Sequence, residues 1–277
     1  MPETSTAKPA PPNIAVIVTG AARGMGRAMT LALAGAGVRV AAADLASAAP
    51  AMNEMIDLAR RQGVHERIAP VECNITRWPD CTGAVQSALE RFGAVHGLVN
   101  NAGIAIPDEE LEAGRVRRRR FYQHEIEAWR RVIDTNVNGS FQMAKAIAPR
   151  LVEQGWGRIV NVTTSFTTMV LEGFAPYGPS KAALEAATAI WAKDLAGTGV
   201  TVNALVPGGP GNTRMIPQHE AADRSKLVQP EVMMAPITWL ISAQSDGVTG
   251  RRFVANQWDP ALSPAVASER AGAAAGW

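Results

Sequence analysis

Short apolar runs alternate with longer stretches of helix-forming residues along this chain. Ile14 to Val18 and Val38 to Ala43 are nearly unbroken runs of branched or small apolar residues, as expected of strands buried on both faces. Val95 to Asn100, Arg158 to Val162, Val200 to Val206 and Arg251 to Val254 continue the series, and Ile68 to Glu72 is a further candidate. Arg27 to Ala34, Met52 to Gln62, Trp78 to Phe92, Glu125 to Glu153, Tyr177 to Ala196 and Glu231 to Ser242 read as the helices between them. This alternation predicts one α/β domain, a doubly wound, mostly parallel seven-stranded sheet with helices on both faces. The domain is expected over residues 13–259. Residues 1–12 and 260–277, rich in Pro, Ala and Ser with little to bury, are expected as mobile tails, with Trp277 able to dock on a neighbour.

The first strand runs into T-G-A-A-R-G-M-G, Thr19 to Gly26, where a helix begins. Gly20 permits a tight turn, Gly24 lets backbone approach a pyrophosphate, and Gly26 lets the helix close on the sheet, leaving helix N–H groups aimed at phosphate. Arg23 and Met25 share that loop. The spacing G-x-x-x-G-x-G differs from the common dinucleotide pattern G-x-G-x-x-G, but the fold setting is the Rossmann type. Asp44, about twenty residues on and followed by Leu45, ends the second strand, where its carboxylate can accept hydrogen bonds from an adenosine ribose. It would repel a 2′-phosphate, whereas Arg23 could grip one. Asp44 weighs more heavily, so NAD is favoured and NADP is possible.

Composition narrows the remaining classes. At 277 residues with 47% hydrophobic content, the chain has ample material for one core, and a net charge of +2 gives no global field for nucleic acid or membrane. Two cysteines, Cys73 and Cys81, make no disulfide framework, and neither a signal-like core nor a membrane-spanning stretch is evident. A cytoplasmic location is the expectation. The histidines His65, His96, His124 and His219 are dispersed, and no metal is assigned.

Taken together and in order, T-G-A-A-R-G-M-G, N-N-A-G at Asn100 to Gly103, Asn136, Y-G-P-S-K at Tyr177 to Lys181, and Pro207-Gly208 resemble the short-chain dehydrogenase/reductase family over roughly Ile14 to Asp259. The resemblance implies a hydride-transferring oxidoreductase acting on a small-molecule secondary alcohol or ketone. Tyr177 and Lys181 lie four positions apart, one helical turn, so the ammonium is expected to lower the phenol pKa below its ordinary value of about 10 and ready it as general acid and base. Counting back the family's interval from Tyr177 lands on Thr164 rather than serine, with Ser165 beside it as the reserve. Asn136 matches the asparagine whose amide, in the family, helps hold a water in a proton relay to the lysine.

The resemblance also places Asn74 and Ile75 against adenine, and Asn101, Ala102 and Gly103 along the adenine ribose. Lys181 is implied at the nicotinamide ribose, and Pro207, Gly208 and Thr213 beside the nicotinamide amide. The segment from Thr213 to Pro230, with Met215, Ile216, His219 and Leu227, corresponds to a substrate lid. An insertion before Trp129 carries Arg115, Arg117, Arg118, Arg119 and Arg120, a charge block that is more often solvated than functional. A homo-oligomer, tetramer or dimer, is implied through the helices at Glu125 to Glu153 and Tyr177 to Ala196. The contrasting reading is a dinucleotide-binding regulatory or scaffold protein without turnover.

Overall fold

The computed structural model describes residues 8–105, 120–216 and 223–277, and the backbone of a small antiparallel ribbon at 111–112 and 115–116. In chain order the elements are β1 (Ala15–Thr19), α1 (Gly24–Gly35), β2 (Arg39–Asp44), α2 (Ala49–Arg61), β3 (Ile68–Glu72), α3 (Trp78–Phe92) and β4 (Gly97–Asn100). The ribbon strands β5 (Leu111–Glu112) and β6 (Arg115–Val116) precede α4 (Ile126–Ile133), α5 (Ser140–Gln154), β7 (Gly157–Val162), α6 (Phe166–Met169), α7 (Tyr177–Asp194) and β8 (Val200–Val206). The chain closes with α8 (Met234–Ile241), β9 (Arg251–Val254), α9 (Pro264–Ala271) and β10 (Gly272–Ala274).

The sheet order is β10-β9-β8-β7-β4-β1-β2-β3, with every pairing parallel except β10 against β9. Successive strand residues point to opposite faces, and β1 shows it: Val16 and Val18 join the core with Met29, Leu33, Ile237 and Phe253, while Ala15 and Ile17 join Met143, Ile147, Ile159 and Val202. The sheet is therefore buried on both sides, and no polar alternation is needed along its central strands. Strand order reverses between β1 and β4, which opens a crevice at the carboxyl ends of those strands.

Seven strands were expected and eight are found. The difference is β10, in the segment expected as a mobile tail: α9 folds back and Gly272, Ala273 and Ala274 pair with Phe253, Arg252 and Arg251. Of the expected amino-terminal tail, Lys8 donates its amide to Gly155 O at 3.2 Å, and residues 1–7 lie outside the described residues. The opposite rim of the sheet is β3, which carries Pro70 opposite Ala42.

The single helix expected over Glu125 to Glu153 is interrupted by a π-helical turn at Asp134–Gly139, between α4 and α5. Close packing accompanies the widening: a side chain at Gly139 would place Cβ only 2.7 Å from the Ile75 side chain. Helix α7 turns Lys181, Leu184, Glu185 and Thr188 inward, while Ala183 is exposed and Ala182, Ala186, Ala187 and Ala189 are half-buried.

Candidate active site

Three chain segments meet at the carboxyl end of β1. Gly20 and Gly24 adopt φ of +63° and +51°, a left-handed conformation that side-chain-bearing residues resist. Gly26 is needed for a different reason, because a Cβ there would lie 2.0 Å from Gly20 O. Arg23 occupies the N-cap of α1 with extended backbone and no side-chain cap, so the first-turn amides meet no protein side-chain acceptor. Positive-φ glycines beneath an uncapped twelve-residue helix fit the pyrophosphate of a dinucleotide.

Thr19 and Asn101 brace this loop. Thr19 Oγ1 accepts the amides of Asn101 and Ala102 at 3.0 and 3.1 Å, and Asn101 Nδ2 donates to the carbonyls of Thr19 and Gly20 at 2.9 and 3.1 Å. Sequence reading placed Asn101, Ala102 and Gly103 here but overlooked Thr19, whose position as the last strand residue before the glycines was the available signal. Below them, Asn100 donates to Asn161 Oδ1 at 2.9 Å and Asn161 to Thr188 Oγ1 at 2.9 Å, tying β4, β7 and α7 together.

Beyond the carboxyl ends of β2 and β3, Leu45, Ala46, Ser47, Glu72, Asn74, Arg77 and Asp80 line a cavity of about 260 Å³. Asp44, the last residue of β2, accepts the Ala22 amide at Oδ2 and the Leu45 amide at Oδ1, both at 2.9 Å. The carboxylate is thus fixed to the glycine loop. Asn74 Oδ1 accepts from Thr76 N and Oγ1, so its amide NH2 is the part left to face a ligand. Ile75 is buried and packs against Gly139.

Thr164, Tyr177 and Lys181 come together at the end of β7. Lys181 Nζ, 6.0 Å from the Tyr177 ring centre, donates to Val162 O at 2.8 Å. The expected lowering of the Tyr177 pKa is reversed in the protein alone: burial pushes it up to about 12, and the nearby Thr164 side chain offsets only part of that. Burial also brings Lys181 down from 10.5 to about 8. Ser165 points elsewhere, capping α6 by accepting the Thr168 amide at 3.1 Å and pairing with Thr168 Oγ1 at 2.8 Å.

Asn136 is fully buried in the π-helical turn, and its amide is already committed. Nδ2 donates to Ile104 O and Ser180 Oγ at 2.8 and 2.9 Å, and Oδ1 accepts the Ile104 amide at 2.9 Å. It clamps the chain after β4. Gly103 lies in the same corner, where a Cβ would stand 3.0 Å from Asn136 Oδ1 and 3.5 Å from Lys181 Nζ.

The Pro207-Gly208 turn is pinned from the short turn after β9 by Asn256, whose Nδ2 donates to Gly208 O at 3.1 Å. Gly208 has φ +97°. Thr213 approaches the glycine loop, its methyl 3.0 Å from where a Gly24 Cβ would sit, and Met25 lies over Gly211. Arg224, missed in the sequence, knits this segment by donating to Asn212 Oδ1, Ile216 O and Thr213 O at 2.7–3.0 Å. Met215 is exposed and His219 lies outside the described residues. Of the arginine block, Arg120 pairs with Glu172; the side chains of Arg115, Arg117, Arg118 and Arg119 lie outside the described residues. Among the described residues no cluster of three or more His, Cys, Asp or Glu could hold a metal, and no helix is long and apolar enough to cross a membrane.

Comparison with known proteins agrees with this geometry. The family described as short chain dehydrogenase matches residues 14–223. A 3-oxoacyl-[acyl-carrier-protein] reductase of Thermotoga maritima is 31% identical over 85% of this chain and 93% of its own length. An NADPH-dependent aldehyde reductase-like chloroplast protein of Arabidopsis thaliana is 35% identical over 69% of this chain and 70% of its own. A solved short-chain type dehydrogenase/reductase from Mycobacterium marinum superposes with a TM-score of 0.75 at 27% identity, over 87% of this chain and 93% of that one.

Proposed function

The chain belongs to the short-chain dehydrogenase/reductase family, and from that premise we propose that it is an NAD(H)-linked enzyme interconverting a secondary alcohol and its ketone. The observation that carries the reading is Tyr177 opening α7 one helical turn before the buried Lys181, whose Nζ lies 6.0 Å from the Tyr177 ring centre. Bound dinucleotide would supply or accept the hydride; the proton is the task of the chain itself. In reduction Tyr177 Oη gives its proton to the substrate oxygen, and in oxidation it takes that proton back. Thr164 Oγ1 hydrogen-bonds the same oxygen and orients it against the phenol.

Lys181 lowers the cost of the phenolate by its charge and by holding the ribose nearby. Its own pKa near 8 lets it pass a proton toward Tyr177 close to neutral pH. Asn136 holds the Gly103–Ile104 backbone beside Lys181 Nζ, and so serves geometry rather than proton transfer.

Three acids favour NAD over NADP. Asp44 is fixed to the glycine loop at the end of β2, and Glu72 and Asp80 line the adjoining cavity, so a 2′-phosphate would add charge near carboxylates. Arg23 of the glycine loop and Arg77, which pairs with Asp80 at 3.6 Å, are the opposing cations. The Arabidopsis relative is named for NADPH, so the NAD preference proposed here differs from that relative's name.

The test is Tyr177→Phe compared with the unaltered protein on a panel of ketones with NADH. Turnover is expected to fall by roughly a hundredfold to ten-thousandfold. Calorimetric NADH affinity is expected to stay within about twofold, because the phenol oxygen reaches substrate rather than phosphate. Equal turnover in both proteins would remove Tyr177 from the chemistry; NADH binding with no turnover of any ketone would favour the regulatory reading.

A further inference from the structure

Eight residues past Tyr177, on the inward face of the same helix, Glu185 is fully buried. A carboxylate in such a place is tolerated only when paired and hydrogen-bonded. Glu185 has three donors: Thr163 Oγ1 to Oε2 at 2.7 Å, Arg252 Nε to Oε1 at 3.1 Å, and the Gly276 amide to Oε1 at 3.4 Å.

Arg252 arrives from β9 and does more than neutralise the acid. Its Nη2 donates to the Thr164 carbonyl at 3.0 Å, and its guanidinium lies 3.9 Å over the Phe166 ring, whose edge meets Trp277. A planar guanidinium can serve two acceptors in fixed directions at once, which an ammonium cannot. Two consecutive residues are therefore held by one ion pair, Thr163 through its hydroxyl to Glu185 and Thr164 through its carbonyl to Arg252. The second of them is the threonine read above as the partner of Tyr177.

We propose that Arg252, braced by Glu185, is a positioning residue: it fixes the main chain of Thr164, the residue read as sharing the substrate oxygen with Tyr177. The inference rests on the reading of Thr164 and Tyr177 as the pair that handles substrate oxygen. It assigns Arg252 no contact with substrate or dinucleotide, and so its substitution acts on turnover while leaving cofactor affinity alone.

The chain has only two tyrosines, and Tyr122 is exposed, so Tyr122→Phe leaves Tyr177 as the sole tyrosine for a 13Cζ label. In that background Thr164→Val, Arg252→Lys and the two combined are compared by the Tyr177 resonance. Arg252→Lys keeps a positive charge for Glu185 and gives up the fork. Thr164→Val is expected to displace the resonance, Arg252→Lys to displace it in the same direction, and the double variant to coincide with Thr164→Val. Glu185→Gln supplies a second reading of the same signal and is expected to move it the same way.

With NADH and a ketone accepted by the unaltered enzyme, Arg252→Lys should lower kcat roughly tenfold to a hundredfold, and in the Thr164→Val background it should change kcat by less than about twofold. KM and NADH affinity should hold within about twofold. An unmoved resonance in both Arg252→Lys and Glu185→Gln, displacements that add in the double variant, or the same kcat loss in both backgrounds would overturn the proposal. If Thr164→Val itself moves neither signal nor rate, the Thr164–Tyr177 reading falls first and takes this inference with it.

Discussion

Replacing Lys181 by methionine should raise or hold stability near neutral pH while removing turnover, and the sign should reverse in alkali. Lys181 is buried, and its pKa falls from 10.5 to about 8 for want of water around the ammonium. Because the folded value lies below the unfolded one, the native state carries the full cost of the charge below pH 8. Across the interval from about 8 to 10.5 the unfolded chain keeps a proton that the native protein has released, so this group's contribution improves as pH rises. At ~1.4 kcal/mol per pH unit the cost comes to about 3 kcal/mol. Lys181→Met removes it but leaves Val162 O without its 2.8 Å donor, a loss of roughly 1–3 kcal/mol.

Near pH 7 the variant should therefore match the unaltered protein or exceed it by up to about 2 kcal/mol. Toward pH 10.5 the gap should swing by about 3 kcal/mol in favour of the unaltered protein. Urea unfolding of both proteins at about pH 7, 9 and 10 measures this difference directly, and groups common to both cancel in it. A stability difference that does not change with pH would refute the assignment of a strained, charged Lys181.

Three further outcomes are expected. Asp44→Ser should shift the NADPH-to-NADH affinity ratio toward NADPH by about two decades, the size of a like-charge contact at ~6 Å in an effective dielectric near 20, and calorimetry that finds the ratio unmoved would sink the role given to Asp44. Gly26→Ala would set a methyl 2.0 Å from Gly20 O, and should cost roughly 2 kcal/mol or more and weaken NADH binding; a normal melt with normal affinity would show that helix and loop do not touch as described. Ser165→Ala should cost about 1 kcal/mol of cap and leave kcat nearly unchanged, in contrast to Thr164→Val, and a large kcat loss would exchange their roles.

The strands were legible because buried parallel strands must be written in continuous apolar residues, and α3 was read over the same residues it occupies, Trp78–Phe92. β10 was not, since Gly272-Ala273-Ala274 has no strand preference of its own and forms only because β9 offers a partner. The π-helical turn left no periodic signature either; it packs through Gly139 against Ile75 from another segment. Within the site, Tyr177, Lys181 and Thr164 could be found by spacing. The choice between Thr164 and Ser165, the commitment of the Asn136 amide to Ile104, and the upward shift of Tyr177 all depend on what surrounds each group. Glu185 and Arg252 stand 67 residues apart, and nothing local announces that they meet.

The two rims of the sheet bear on how copies of this chain can meet. A bare strand edge is a template for another strand, and it invites uncontrolled growth. Here β9 is covered by β10, only three residues long, and β3 at the far rim includes a proline that lacks a backbone donor. Among the described residues, neither rim of the main sheet offers a long row of unpaired amides to a second copy. Protection at the β9 side is only as durable as three weakly strand-forming residues. Fraying of that short strand, well before the core melts, would bare the β9 edge and make clumping rather than unfolding the first sign of thermal stress.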